Sequence, residues 1–438
     1  MLLTLEKLEA RIKTMEIPRV NALSSEAQSA VRQIAERLQE HGVRGWIVGG
    51  AVRDLALGLE PKDIDMASAA TPAQIEDWFE VSHEVGRAFG TVVVRVHGLD
   101  VQLTTFRVER GYSDRRRPDA VEFGTSLEED AKRRDFTCNA LYLDPASDEV
   151  CDPEGGLRDL EAGLLRCVGR AEDRFREDGL RLLRLARLAA RFGLQPESET
   201  YRAARENADA LVGVSPERVL AELVDMLARP GAASAIRMLF DLELVPRAIP
   251  GWNLEAAEAD TRVEVLQQLE SHARVELGLA ALFGADPRGT DDQAGLLPLL
   301  LGLKPSKKLF SGAAAPARLL LRAHLLGNGR APSTRAQRLR IVRDPEWASA
   351  RVLGRAWAAA TGVGSEQLDG LDELRRASSQ VELWPEPWLA PADILAAGVE
   401  QGPELGKLVF ELEEAQLNLE CNSEGEARKW LNERVRGA

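Results

Sequence analysis

Two aspartates one residue apart, Asp63 and Asp65, follow a Gly49-Gly50 pair that ends the apolar run GWIV. In a strand, residues two apart project from one face, so an Asp-Ile-Asp strand sets two carboxylates side by side. Paired carboxylates are oxygen donors suited to a hard divalent cation such as Mg2+. Glycines between a strand and a helix starting near Val52 let backbone N–H groups approach a phosphate, and the helix start adds favourable partial charge. Arg53 adds a guanidinium that can clamp a phosphate through two parallel N–H groups. Metal-assisted nucleotidyl transfer needs this combination: one metal acidifies the attacking hydroxyl and a second neutralises the triphosphate. An isolated Asp-x-Asp is an ordinary exposed loop and a lone Gly-Gly an ordinary turn. Joined at short range as GGxVRD and DxD, they are far more specific.

A second constellation lies at Arg176-Glu177-Asp178-Gly179-Leu180-Arg181. On one helix, Glu177 and Arg181 are four apart and Asp178 and Arg181 three apart, so the three side chains share a face. An ionised Asp only accepts hydrogen bonds and an Arg only donates them. Cytosine and adenine both present an amino donor beside a ring-nitrogen acceptor, whereas guanine and uracil present a carbonyl beside an N–H. Asp178 with Arg181 therefore matches C and A, and leaves polar groups unpaired against G or U at a cost of about 1–3 kcal/mol each. Glu177 would orient Arg181 through the i,i+4 pair. Arg184, Arg187 and Arg191 continue the series, as a solvated stripe or, in the reading favoured here, as a path for phosphates.

What must position these groups is a chain of 438 residues, 45% hydrophobic, long enough for two to four structural units. The most apolar run, Ala294 to Leu303, is short and carries Pro298, so no membrane span is expected. Charges at Glu6, Lys7, Glu9, Arg11 and Lys13 make the N-terminus an amphipathic helix rather than a signal peptide, and a cytoplasmic protein is expected. Cys138, Cys151, Cys167 and Cys421 have neither metal-ligand nor disulfide spacing. A net charge of −14 excludes a protein that coats nucleic acid nonspecifically, but not one with a local basic groove. Residues 25–42 read as a helix with Ser24 or Ser25 as cap. Short strand-like runs at 91–96, 101–106 and 140–144 alternate with helical stretches at 72–79 and 127–134. Beyond 165 strand signals nearly vanish and helical patterns broken by Pro and Gly take over.

The segment GGAVRDLALGLEPKDIDMASAAT resembles the first motif of the class II tRNA nucleotidyltransferase and bacterial poly(A) polymerase family, within the polymerase-β-like superfamily. The resemblance implies Asp63 and Asp65 as catalytic Mg2+ ligands, with Gly49, Gly50 and Arg53 at the triphosphate. Gln102, before Leu103-Thr104-Thr105-Phe106-Arg107, stands where relatives commonly carry a Glu. Residues 132–140, KRRDFTCNA, are similar to the second motif, implying that Arg134, Asp135 and Asn139 shape the ribose and phosphate side of the pocket. DPEGGLRDL at 152–160 resembles a hinge motif. EDGLR at 177–181 resembles the fourth motif, an amino-acid template, and extends the nucleotide-binding set to Glu177, Asp178, Arg181, Arg184 and Arg187. SPERVLAEL at 215–223 resembles the fifth, read as helix-stabilising with Pro216 at the first helical position.

The implied fold is α+β: a polymerase-β-like head of mixed sheet and helices over 1–165, then a helical neck (166–229), body (230–345) and tail (346–438). The implied activity is template-independent addition of C, C and A to the tRNA 3′ end from CTP and ATP, with tRNA held in part by the tail. Alternatives are an A-adding enzyme, a bacterial poly(A) polymerase, or an inactive RNA- or nucleotide-binding regulator. Gly, Pro and crowded charge predict a mobile loop over 108–119; within the resemblance its full length favours CCA addition, since relatives that add only C are usually shortened here and poly(A) polymerases carry a longer insertion. The five histidines form no His-Asp hydrolase element, so no second hydrolytic activity is expected, nor an obligatory protein partner.

Overall fold

The computed structural model describes residues 17–83, 90–110, 120–124, 126–252, 254–272, 274–284, 296–328 and 333–436. The expected N-terminal helix over residues 1–13 and loop residues 111–119 lie outside them. The chain divides into two compact units, Met1–Leu254 and Glu255–Ala438.

The first unit starts from helix α1 (Ser25–Glu40), where the Ser24 hydroxyl accepts from the Ala27 N–H and so caps the helix. The apolar spacing read from the sequence turns Val31, Ile34 and Leu38 inward, all fully buried. Strand β1 (Gly45–Val48) follows and is buried along its whole length. After it come α2 (Gly50–Ala56), β2 (Asp65–Ser68), α3 (Pro72–Trp78), β3 (Val81–His83), β4 (Thr91–Val96), β5 (Leu99–Thr105), a paired β6 (Arg107–Arg110) and β7 (Ala120–Phe123), α4 (Leu127–Lys132), β8 (Tyr142–Leu143) and β9 (Val150–Cys151). One mixed sheet runs in the order β3-β4-β5-β2-β1-β8-β9. β1 and β2 are antiparallel neighbours, while β2 and β5 run parallel with Asp65 paired to Gln102. Trp46, Val48, Ala67, Phe106, Ala140 and Tyr142 form the core beside the central strands. This is the mixed sheet with helices expected of the head.

Helices then dominate: α5 (Gly156–Glu161), α6 (Ala171–Glu177), α7 (Leu180–Phe192), α8 (Ser198–Glu206), α9 (Pro216–Leu227) and α10 (Ala232–Asp241). α7 is amphipathic: Leu182, Leu183, Leu185, Ala186, Leu188 and Phe192 are buried, with α9 and α10 both packing on the helix, while its arginines share another face. The Pro230-Gly231 break is the tight turn between those two helices, and Gly231 takes φ 84° there.

The second unit is helical throughout its described residues. Helices Ala256–Leu269, Val275–Phe283, Lys307–Asn328 and Trp347–Thr361 pack together. Among them the fully buried Arg262 donates to the carbonyls of Ala281, Leu282 and Gly284 at 2.7–3.0 Å, closing the end of helix Val275–Phe283. Leu389, Ile394, Leu408, Leu412, Ala427 and Leu431 form a separate apolar cluster near the C-terminus. No helix among the described residues is long and apolar enough to cross a membrane.

A Cβ at Gly231 would lie 2.6 Å from the Ala190 carbonyl oxygen, on a backbone that L side chains rarely adopt. Gly231→Ala should therefore cost about 1–3 kcal/mol through strain and overpacking, read as an earlier urea midpoint with an unchanged slope. An unchanged midpoint would contradict this packing of α10 on α7.

Candidate active site

Strand β2 begins at Asp65, not at Asp63. The expected Asp-Ile-Asp strand is shortened: β1 ends at Val48, the partner of Asp65, so Asp63 has no partner there, and it does not join β5 although that strand runs back to Leu99. Asp63 is exposed in the bend before the strand and Asp65 is half-buried at its first position. The two carboxylates nevertheless interact. Burial pushes the Asp65 carboxyl above its ordinary range, the charge of Asp63 adds to that rise, and Arg134 offsets part of it. Two oxygen donors with surplus negative charge suit Mg2+, which is held by one or two carboxylates and keeps its remaining sites for water and phosphate. Gln102 pairs with Asp65 across parallel strands and stands beside it as a neutral amide. Among the described residues no cluster of three or more His, Cys, Asp or Glu could hold a metal.

Gly49 turns the chain from β1 into α2 with φ 69°. A Cβ there would lie 3.1 Å from Arg134 Nη1 and 3.5 Å from the Asn139 carbonyl oxygen, so the first and second sequence motifs meet at this glycine. Arg134 donates to Asp130 at 2.9 Å, to the Tyr142 hydroxyl at 3.0 Å and to the Asn139 carbonyl at 3.3 Å. Burial alone would lower its pKa, but Asp130 and Tyr142 raise it and keep the guanidinium charged.

Arg53 is not the open phosphate clamp expected. It is buried, lies over the Phe192 ring at 4.3 Å, and donates to Asp54 Oδ1 at 2.6 and 2.9 Å and to Asn139 Oδ1 at 2.5 Å. A guanidinium in that depth needs carboxylate and amide partners from the protein itself. Gly50 lies beneath it, a Cβ there meeting Arg53 Nη2 at 3.3 Å. Asn139 passes the chain of contacts on, its amide donating to Asp135 Oδ1 at 3.0 Å. Asp135 Oδ1 also accepts from the Phe136 N–H, while Oδ2 accepts from Arg184 Nε at 2.7 Å and forms an ion pair with Nη2 at 2.5 Å. Burial would raise the Asp135 pKa, yet Arg184, the Asn139 amide and Arg181 together hold it well below the carboxylate range.

The helix drawn through Glu177, Asp178 and Arg181 is broken. α6 ends at Glu177, Asp178 is extended (φ −147°, ψ 106°), and α7 starts at Leu180. Gly179, which follows, must lack a side chain, because a Cβ there would lie 2.0 Å from the Ala210 carbonyl oxygen. The Glu177–Arg181 pair forms regardless, at 2.5 Å, and Glu177 also holds Arg174. Arg181 donates further to the carbonyls of Arg174 and Arg133. The arginine series is not an open phosphate path, since each member has an acid: Glu177 for Arg181, Asp135 for Arg184, Glu222 and Asp225 for Arg187, Asp54 for Arg191. Buried guanidinium groups on one helix repel unless each is matched.

The sequence reading missed Arg218. It donates from Nη1 to Asp178 Oδ1 at 3.2 Å and from Nη2 to Oδ2 at 2.7 Å. It missed Glu222 as well, the partner of Arg187 at 2.6 Å. Arg218 and Glu222 are four apart on α9, and that pair of opposite charges on a helix face was the available signal. Asp130, four before Arg134, was legible in the same way. The sheet, the Gly49 turn and the start of α7 thus bring together a carboxylate pair, a cationic turn and an acceptor–donor pair. Arg184 ties the last two together, because both Asp135 and Asp178 act on its charge.

Residues 45–166 match the family described as the poly A polymerase head domain, and residues 193–254 the one described as a probable RNA and SrmB-binding site of polymerase A. A CCA-adding enzyme of Limosilactobacillus fermentum is 32% identical over 398 residues, covering 90% of this chain and 93% of that one. The CCA-adding enzyme of Ligilactobacillus salivarius is 41% identical over 211 residues, which are 48% of this chain and 52% of that one, so the chain spans about half the length of such curated relatives. The crystal structure of the Bacillus stearothermophilus CCA-adding enzyme in complex with CTP is similar with a TM-score of 0.70 and 30% identity, over 94% of this chain and 97% of that one.

Asp135→Asn should cost about 1–3 kcal/mol at neutral pH by removing the counter-charge of Arg184, whose partial exposure to water limits the loss. Asp130 and Asp135 both titrate lower in the folded chain than unfolded. Their stabilisation is thus complete above the ordinary carboxylate pKa of about 3.9 and is lost as pH falls through the lower folded values. Urea unfolding from pH 7 to pH 3 should show a smaller acid dependence in Asp135→Asn than in the parent. An equal dependence in both would refute the assignment.

Proposed function

This chain belongs to the CCA-adding enzyme family, and from that membership we propose that it adds C, C and A to the 3′ end of tRNA from CTP and ATP, releasing diphosphate. The observation that carries the reading is the buried relay from Arg134 to the Asn139 carbonyl, from the Asn139 amide to Asp135 and from Asp135 to Arg184, with the charge of Arg134 felt by Asp65 at one end and that of Asp178 felt by Arg184 at the other. Head, neck, body and tail at 1–165, 166–229, 230–345 and 346–438 are part of the same proposal, with the tail gripping tRNA and the protein working in the cytoplasm.

Asp63 and Asp65 would hold Mg2+, which when bound activates the terminal 3′-hydroxyl and offsets triphosphate charge in a two-metal reaction. The protein's own groups do the rest. The Gly49 turn admits phosphate close to the backbone, with the charged Arg134 beside it. Asn139 and Asp135 fix the shape of the ribose side by being locked to Arg53 and Arg184. Asp178 accepts from the exocyclic amino group of C or A while Arg181, steered by Glu177, donates to the ring nitrogen. Guanine and uracil meet acceptor with acceptor and donor with donor, so two side chains suffice for selection without a nucleic-acid template.

A tRNA ending at the discriminator base, at C, or at CC, offered one nucleotide at a time with Mg2+, distinguishes the possible activities. The expected order is C, C, then A and a stop. Long A tails would replace this reading by poly(A) synthesis, which the similarity to a poly A polymerase head favours, and A on CC-ended tRNA alone would indicate an A-adding specialist. Asp63→Ala with Asp65→Ala should reduce incorporation at least about a thousand-fold, as expected when the chemical step loses its metal. Residual incorporation near the parent rate would remove the metal assignment. No incorporation by the parent itself would leave a nucleotide-binding regulator.

A further inference from the structure

We infer that Arg218 is a positioning residue for base selection, fixing which oxygen of Asp178 an incoming base meets. The inference rests on the reading that Asp178 and Arg181 select C and A. An ionised carboxylate offers about four acceptor positions, two on each oxygen. Arg218 Nη1 and the Leu180 N–H, at 3.2 and 3.1 Å, take both positions on Oδ1. Oδ2 accepts from Arg218 Nη2 at 2.7 Å, and among the described residues that is its one hydrogen bond. One acceptor position therefore stays open on Oδ2, for the one amino hydrogen that cytosine or adenine turns toward its own ring nitrogen. The pair is not sealed off: the Asp178 side chain keeps 19% of its exposure and that of Arg218 25%, so a ligand can reach them.

The parallel fork matters more than the charge. The terminal torsion of an Asp side chain is broad and two-fold, so an ungripped carboxylate swings and presents either oxygen. Two N–H groups held in one plane remove that freedom, which a flexible ammonium does not. Arg218 comes from α9, whose Pro216 start and packing on α7 are set independently of Asp178. Four residues on, Glu222 grips Arg187 of α7 at 2.6 Å, so α9 presents a positive and a negative group against a negative and a positive one. Arg218 and Glu222 are both rungs of this ladder, but only Arg218 touches the base-reading carboxylate.

The test measures kcat and KM for CTP and UTP on tRNA ending at the discriminator base, and for ATP and GTP on tRNA ending at CC, in the parent, Arg218→Gln, Arg218→Lys and Glu222→Gln. Arg218→Gln is expected to lower the C-over-U and A-over-G ratios of kcat/KM about ten-fold or more, mainly through raised KM for CTP and ATP, as one misaligned hydrogen bond implies. Arg218→Lys should recover part of the loss, and Glu222→Gln should lower the melting temperature and leave both ratios unmoved. Ratios unchanged in Arg218→Gln, or altered equally in Glu222→Gln, would reduce Arg218 to a staple between helices. If Arg218→Gln does not fold, the decision passes to Arg218→Lys together with calorimetric CTP and UTP binding to Asp178→Asn and to Asp178→Asn with Arg218→Lys. A double variant no less selective than Asp178→Asn supports action through one contact, and additive losses overturn it. A parent that shows no preference for C and A sinks the base-selection reading itself, a result separate from any outcome at Arg218.

Discussion

The first unit depends on keeping the Asp135 carboxylate charged where water cannot reach it. Its two oxygens take three hydrogen bonds, from the Phe136 N–H, the Asn139 amide and Arg184 Nε, beside an ion pair with Arg184 Nη2. Desolvating such a group costs several kcal/mol unless every lone pair is met, so its neighbours are held to a narrow geometry. The constraint spreads outward. Asn139 satisfies Asp135 with its nitrogen and Arg53 with its oxygen, Arg53 then needs Asp54, and Asp54 also receives Arg191 from the far end of α7. One relay fastens α2, the turn before β8 and both ends of α7, so that no member can move without unpairing a buried charge.

This stiffness explains how a short sheet and a helix carry groups that must agree in position. Asp65 is placed by backbone pairing with Val48 and Gln102, whereas Asp178 is placed by a helix break and by Arg218. Those are independent parts of the chain; on one side of the relay Asp65 feels the charge of Arg134, and on the other Asp178 acts on that of Arg184. At Gly179 a Cβ would meet the Ala210 carbonyl oxygen at 2.0 Å, and at Gly49 it would crowd the Arg134 guanidinium at 3.1 Å, so both approaches need a residue without a side chain. A related arrangement occurs in the second unit, where the wholly buried Arg262 donates to three carbonyls at a helix end and to Glu258.

The arginine series on α7 illustrates how far a linear pattern carries. Its spacing marks one helix face, and the residues do occupy it. Whether that face is free for phosphate depends on what stands opposite, and the opposing acids come from α4 onward (Asp135), α9 (Glu222, Asp225) and α2 (Asp54). The net charge of −14 anticipates that cations will be matched locally, without saying where.

The sequence by itself determined the α+β head, the helical remainder, the strands at 91–96 and 101–106, the Ser24 cap, the Glu177–Arg181 pair and the family, because periodicity, capping chemistry and ordered motifs are local properties written in consecutive residues. Tertiary structure alone decided that Asp63 falls outside β2, that Arg53 is an internal tie, that the helix breaks at Asp178 and that Arg218 grips it. Strand limits follow from where the neighbouring strand stops, and a charged side chain's role follows from the counter-charge it meets. Both are set by residues tens of positions away, whose approach is fixed only when the elements pack.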